Sequence, residues 1–459
     1  MSIKRGEIIE VAIRDLASTG NGVARLPDGM TVFVEGALPG SRVKASVQRV
    51  KKRYAEALAA EVVERSPVEV KPECPHFPEC GGCLLQHMDP AEQLAWKTRR
   101  VSDALERIGG LEDVPALTPI GSPDVWRYRN KMEFVYDSID GQPVAGLRRR
   151  LDASVMPVPE CRICTEKTAA ILRRANELGP SLGRIAYNPK TGKGYLRRLV
   201  IRHHGTTSGE GELMVHLITA TARDHSAAEK LGRALQADFP EITSFVHSTR
   251  KSRRDLAFGE RIQQVIGQDS VEERLHLPDA EVRYRISPNA FFQPNSAAAE
   301  LLYGAVRQAA DPGPDDTVMD LYCGTGGLAL ALADKAKKVL GFELSKDSVR
   351  DAVRNAEING FSNCEFHAGT LEHGLGQVKG VPDPDIIVTD PPRSGMHETV
   401  VRGILDMLPR KVVAVSCDPA TLARDLGRLS HAYAVESVQA VDQFPHTTHV
   451  EAVAVLRRK

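Results

Sequence analysis

The sequence has no apolar run approaching the ~18 residues that a membrane-spanning helix needs, so no membrane segment is expected. Its first residues, MSIKRGEIIEVAIRD, lack the continuous apolar core of a secretory signal, and a cytoplasmic location is the expectation. Neither sign of charge is in excess: 60 Lys and Arg face 60 Asp and Glu, for a formal net charge of zero. No internal repeat or low-complexity tract is present, which sets aside repeat architectures.

What is present is the composition of a globular protein. The 459 residues are 42% hydrophobic and 26% charged, and that length exceeds one ordinary core, so two or three domains are expected. Net neutrality hides local asymmetry. Arg42 to Arg53, RVKASVQRVKKR, holds six basic residues and no acid. LRRR at 147–150, LRRLVIRHH at 196–204 and RKSRR at 250–254 repeat the pattern. Any one such run is usually a solvated face, but several together favour a polyanionic partner.

Eight cysteines in a reducing compartment are not expected to form structural disulfides. Cys74, Cys80 and Cys83 cluster, Cys161 and Cys164 form a pair, and Cys323, Cys364 and Cys417 stand apart. The clustered groups suggest metal chemistry. Three close thiolates need a fourth ligand from elsewhere. Cys80 and Cys83 with Cys161 and Cys164 would make a four-cysteine zinc site.

Along the chain, residues 1–65 predict short strands. Ile9, Val11 and Ile13 alternate, as do Val43, Ala45 and Val47, with STGNG, LPDG and ALPGS as turns. A small oligonucleotide-binding type of barrel is expected. Residues 66–285 mix strand-like pieces (RNKMEFVY, ELMVHLITA) with helix-like ones (KTAAILRRANEL). The helical run at about 90–110 places Leu94, Val101, Leu105 and Ile108 on one face and could pack on the C-terminal domain. Residues 286–459 alternate strands with helices, which predicts a mostly parallel, doubly wound sheet with ligands beyond the carboxyl ends of its strands.

The chemistry-bearing motifs fall at such strand ends. In VMDLYCGTGGLALAL, Asp320 precedes a glycine turn at Gly324 and Gly326, where a ligand can approach the backbone. Glu343, ending the next strand, could accept hydrogen bonds from ribose hydroxyls. The dinucleotide fingerprint G-x-G-x-x-G is absent, because Ala329 stands three residues after Gly326. In VTDPPRSG, two prolines stiffen a loop and aim Asp390 and Arg393 into the cleft. Cys417 ends the apolar strand of VVAVSCDPATLARD, and FPHTTHVEAVAVL puts His446, His449 and Glu451 at the start of the last strand. A lone cysteine is most often a small buried hydrophobe, and that reading is kept for Cys323 and Cys364. For Cys417 and Glu451 the combination favours a nucleophilic thiol with a carboxylate base, on neighbouring strands. That pair suits uracil C5 methylation: a thiolate adds at C6, C5 attacks a methyl sulfonium, and a base removes the C5 proton.

SCDPATLARD closely resembles the nucleophile motif SCNPATLARD of the RNA 5-methyluridine methyltransferases. HTTHVE resembles their base motif, FFQPN (291–295) their FFQxN segment, and DPPR is shared. GEIIEVAIRDLASTGNGVAR is similar to the RNA-binding barrel called TRAM. The resemblance implies Cys417 as nucleophile and Glu451 as base. It implies a cofactor site on Gln293, Tyr322, Gly324, Gly326, Gly327, Glu343, Thr370 and Asp390, with S-adenosylmethionine as methyl donor. It also implies a [4Fe–4S] cluster on Cys74, Cys80, Cys83 and Cys161, with Cys164 a bystander. The implied architecture is α/β: a TRAM-like barrel (1–65), a mixed α+β central domain with the cluster (66–285) and a Rossmann-like methyltransferase domain (286–459). The implied partner is RNA, with 23S ribosomal RNA expected. The alternatives are a transfer-RNA uridine-54 methyltransferase or a non-catalytic iron–sulfur RNA-binding protein. In this sequence Asp418 stands where relatives carry Asn, beside the thiol, which leaves open whether it raises the thiol's pKa. Gly327, an Asn in relatives, would meet the cofactor through backbone only.

Overall fold

The computed structural model describes residues 3–111, 114–115, 117–204, 211–369 and 383–459. Among them no helix is long and apolar enough to cross a membrane.

Period-two alternation builds the first body. Strands Ile8–Ala12, Asp15–Leu16, Gly22–Arg25, Thr31–Glu35, Arg42–Val50 and Tyr54–Glu64 form one six-stranded sheet. It closes over Val11, Ile13, Val32, Val34, Val43, Ala45, Val47 and Ala57, while the intervening side chains face out, as the pleat requires. The central body is a seven-stranded sheet running from Lys131–Ile139 to Arg261–Gly267, with helices Glu166–Leu178 and Ser226–Asp238 on it. The hairpin Val271–Leu277 with Ala280–Ile286 stands outside that sheet. Its Val271, Leu275, Val282 and Tyr284 pack into the C-terminal core.

The C-terminal sheet carries seven strands from its own domain: β1 (Thr317–Leu321), β2 (Lys338–Glu343), β3 (Cys364–Ala368), β4 (Ile386–Thr389), β5 (Lys411–Ser416), β6 (Tyr433–Val441) and β7 (Glu451–Arg458). Their order is β3-β2-β1-β4-β5-β7-β6, and Thr118–Ile120 from the central segment adds an outer strand beside β6. β3 through β5 are parallel. β7 inserts antiparallel between β5 and β6. Alternation alone does not predict β6, because Glu436, Ser437 and Gln439 dilute its apolar character. The sheet core is nearly all aliphatic, as strands covered on both faces demand.

Four helices position the site: α1 (Pro90–Arg107), α2 (Ser296–Ala310), α3 (Gly327–Leu332) and α4 (Pro419–Leu429). α1 lies on α4, with Val101, Ala104 and Leu105 against Leu422, Ala423 and Leu426. The crossing is close because Gly427 faces Gly109: a Cβ on Gly427 would sit 2.8 Å from the Gly109 carbonyl oxygen. The buried stripe of α1 differs from the expected one. Ile108 is the C-cap and 54% exposed, while Gln93, Trp96 and Lys97 are buried. The reason is polar. Lys97 Nζ donates to Asp442 Oδ1 at 2.6 Å and to the Phe444 carbonyl at 3.0 Å, and hydrophobic periodicity cannot register such a pair.

Candidate active site

Parallel strands deliver their carboxyl ends to one edge of a sheet. Here β1, β4 and β5 end at Leu321, Thr389 and Ser416, so Tyr322, Asp390 and Cys417 emerge together. β7 runs the other way, and its register pairs Ser416 with Ala452. Its first residue, Glu451, therefore lies across from Cys417 at the same edge. The antiparallel insertion is what brings base and thiol together.

The electrostatics follow from this crowding. Glu451 is buried and its carboxyl is pushed up to about 8, by burial first and by Asp390 second, with Arg393 opposing. Burial raises Asp390 to about 6. Two carboxylates sharing a dry site titrate as a pair. The half-buried Cys417 thiol is raised to about 11 by burial, then by Glu451 and Asp390, against Arg393. Arg393 is held from one side: its Nη2 donates to the His449 ring, 3.1 Å from Nε2. Burial and Arg393 lower His449 to about 4, so the ring accepts as a neutral imidazole.

The structure gives Asp418, beside the thiol, a role in the helix start. Asp418 is the N-cap of α4, and its Oδ1 accepts from Ala420 N at 2.9 Å and Thr421 N at 3.1 Å. Its charge is spent on the helix start, and the groups that raise the thiol after burial are Glu451 and Asp390. Two residues of the same motif have a role that sequence reading missed. Asp425 Oδ2 accepts from Met396 N at 2.8 Å, and Arg424 Nη2 donates to the Ser394 carbonyl at 3.0 Å. α4 thus pins the loop that carries Asp390 and Arg393. Gly395 is obligatory there, with φ of 75° and Asp425 Oδ2 2.6 Å from where a Cβ would be.

The glycine turn lies beside these groups. Gly324 has φ of 55° and open space where a Cβ would stand. Its N–H donates to Glu343 Oε2 at 3.2 Å, and Ser345 N donates to Oε1 at 2.8 Å. Gly326, at φ of 87°, caps α3. Asp320 is buried, burial followed by Asp390 raises its carboxyl, and the Ala329 N–H opposes them. Gly327 instead packs under two tyrosines: a Cβ would lie 2.5 Å from Tyr303 Oη, and its carbonyl accepts from Tyr284 Oη at 2.9 Å. Tyr303, on α2, feels Asp390, Asp320 and Glu451. No sequence signal separated it from the core residues of that helix. Gln293 is buried, and its carbonyl accepts from Asn130 Nδ2 at 3.1 Å. Asn295 N-caps α2 and also donates to the Gln443 carbonyl at 3.1 Å. Thr370 lies outside the described residues.

Four of the five cysteines of the central domain, Cys74, Cys80, Cys83 and Cys161, line one hollow, with His76, Phe77 and Val158 among its walls. Cys164 is not in that wall, and its Sγ points to the Cys161 carbonyl at 3.6 Å. Burial pushes Cys80 up to about 11 and Cys83 to about 12, and each also feels Cys74 and Cys161. Among the described residues no three His, Cys, Asp or Glu side chains gather around a point as they would on a single ion. Four thiols lining one hollow are a donor set that a bound metal centre could use.

Comparison with known proteins agrees with this geometry. A family model described as tRNA (Uracil-5-)-methyltransferase matches residues 213–373 and 382–459, and the TRAM domain model matches residues 3–60. An uncharacterized RNA methyltransferase of Halalkalibacterium halodurans is 37% identical, covering 100% of this chain and 98% of its own. One from Nitratidesulfovibrio vulgaris is 38% identical, covering 99% and 97%. The crystal structure of Pyrococcus abyssi tRNA (uracil-54, C5)-methyltransferase with S-adenosyl-L-homocysteine superposes with a TM-score of 0.78 at 28% identity, covering 97% of this chain and 99% of that one.

Proposed function

Because the chain belongs to the tRNA (uracil-5-)-methyltransferase family, we propose that it methylates C5 of a uridine in RNA through a covalent bond between Cys417 and uracil C6. The observation that carries the reading is the meeting of a thiol and a paired carboxylate at one sheet edge, beside a glycine turn open to a ligand. Gly324, Glu343 and Asp320 would hold S-adenosylmethionine, which would supply an electrophilic methyl group. Cys417, as thiolate, adds to C6, and the electron pair moves onto C5 and O4. C5 bonds to the methyl carbon as the carbon–sulfur bond of the donor breaks. Glu451 takes the C5 proton, the C5–C6 double bond re-forms, and the thiolate leaves. A cationic sulfonium and Arg393 both favour the ionised form of Glu451, so the base is readied where the donor sits. A uridine within RNA has to leave its stack to reach this buried edge.

Large-subunit ribosomal RNA is the first reading of the target, by analogy with the resemblance of a TRAM barrel joined to a four-cysteine centre. The likeness to the Pyrococcus transfer-RNA enzyme favours a second reading, a transfer-RNA uridine. The four cysteines would hold a [4Fe–4S] cluster, which would tie their loops together; methyl transfer itself needs no electrons. Incubating the protein with total RNA and methyl-labelled donor, then mapping the label, tests both readings. Label on a C5 of ribosomal uridine supports the first, and label on transfer RNA the second. Label only on other bases or on ribose overturns uridine-C5 methylation.

A further inference from the structure

Most of the basic runs in the sequence turn out to be consumed within the fold. Arg42 pairs with Glu10 and Glu64, Lys44 with Glu61, Arg148 and Arg198 with Asp255, Arg149 with Glu79 and Arg150 with Glu35. Arg202 is buried and donates to the Ala290 carbonyl. Among the described residues, two groups remain exposed and without side-chain partners. One is the barrel hairpin (Arg49, Lys51, Lys52 and Arg53). The other is Lys190, Lys193, Lys251, Arg253 and Arg254, on two adjoining loops of the central body.

The second group is a built surface. Arg197 Nη1 donates to the carbonyls of Arg250 and Ser252 at 2.9 and 2.8 Å, and its Nη2 to that of Arg254 at 3.0 Å. Arg250 donates to the carbonyls of Arg254 and Phe258 at 3.1 and 3.0 Å. Two inward arginines thus fix the loop and leave Lys251, Arg253 and Arg254 facing water. The neighbouring turn is set by Asn188, whose Oδ1 accepts from Lys190 N at 2.9 Å and Thr191 N at 3.2 Å. The loops touch where Arg253 Nη2 lies 3.2 Å from the Cβ position of Gly192. Beyond the cations, Phe258 is 44% exposed. The next residue, Gly259, exchanges two hydrogen bonds with the Asn289 side chain, at 2.9 and 2.8 Å. Two residues past Asn289 comes Phe291, 64% exposed, and then the buried Gln293. Five cations with no side-chain partner among the described residues thus adjoin two exposed aromatic rings, the second of them two residues before the buried Gln293.

We propose that this two-loop face is a docking surface for the single strand of RNA that flanks the target uridine, with phosphates on the cations and bases stacked on Phe258 and Phe291. It rests on the RNA reading above and adds a grip separate from the barrel hairpin. The test uses the full-length protein with the five cations changed to serine, and a second variant with only Lys190→Ser and Lys193→Ser. Each is assayed on a long substrate RNA and on a short oligonucleotide ending close to the uridine. The expected result for the five-site variant is a KM for long RNA raised roughly 10-fold, and a salt dependence of binding shallower by about 2 to 3 in log–log slope. The two-lysine variant is expected to show a smaller shift of the same kind. In both, kcat and the KM for the short oligonucleotide stay unchanged. Unchanged KM and slope in variants whose wild type methylates the RNA would overturn the docking surface. A wild type that methylates no RNA would instead overturn the reading on which it rests.

Discussion

The proposed chemistry turns on two acids and one thiol that the fold brings to one sheet edge: Glu451, Asp390 and Cys417. Glu451 must lose its proton before it can act as a base, and its raised pKa of about 8 means that it holds that proton at neutral pH. kcat/KM, which reports the free enzyme, is therefore expected to rise with pH from the region around 8 upward, as Glu451 and then Cys417 lose their protons. Asp390→Asn removes the negative neighbour that raises both Glu451 and Cys417, so the rising limb of the pH–rate profile should move to lower pH. A limb that stays in place would mean that the Asp390 charge is not felt at the base. Asp418→Asn, by contrast, is expected to leave the profile unmoved, since Asn caps a helix as well as Asp. Cys417, Glu451 and Asp390 were legible in the sequence because each ends or begins an apolar strand. Tyr303 and Asp425 were not. Tyr303 has the spacing of any core residue on α2, and the role of Asp425 depends on a loop 29 residues away in the chain.

At the scale of elements, the segment leading into β7 is held by α1. His446 N donates to Gln93 Oε1 at 2.7 Å, and Gln93 Nε2 donates to the Leu85 and Met88 carbonyls at 3.0 and 2.8 Å. His446 adopts φ of 66° and stacks on Trp126 with ring centroids 4.0 Å apart. Gln93→Ala is expected to lower kcat more than it changes the KM for RNA, because it loosens the approach to Glu451 without touching the RNA. Lys97→Ala leaves Asp442 buried without its cation, which should cost about 3–5 kcal/mol of stability, read by denaturant unfolding. A loss below about 1 kcal/mol would mean that the pair is solvated. The strands of the barrel and of β1 to β5 follow from apolar alternation and apolar runs. β6 and the strand Thr118–Ile120 do not, since one is half polar and the other joins the sheet from another part of the chain.

Across the whole molecule, the cysteine-bearing loop and the base-bearing loop share atoms. The N–H groups of Leu84 and Leu85, just past Cys83, both donate to the His446 carbonyl, at 2.8 and 3.0 Å, and Tyr128 Oη donates to the Pro445 carbonyl at 3.0 Å. A group held by Cys74, Cys80, Cys83 and Cys161 would thus brace the approach to Glu451 from outside the catalytic domain. Cys74→Ala is expected to lose iron and lower the unfolding midpoint, and Cys164→Ala to keep its iron. A colourless, zinc-loaded protein from anaerobic purification would contradict the cluster. The central claim, a covalent route through Cys417, is tested most directly with substrate RNA carrying 5-fluorouracil at the target position, together with S-adenosylmethionine. Fluorine takes the place of the proton that Glu451 would remove, so the adduct cannot resolve. The account expects a protein–RNA complex stable to denaturing electrophoresis, a nucleotide and methyl group attached to the peptide containing Cys417, and no complex with Cys417→Ala. Attachment at another residue, or full methylation of ordinary RNA by Cys417→Ala, would contradict it.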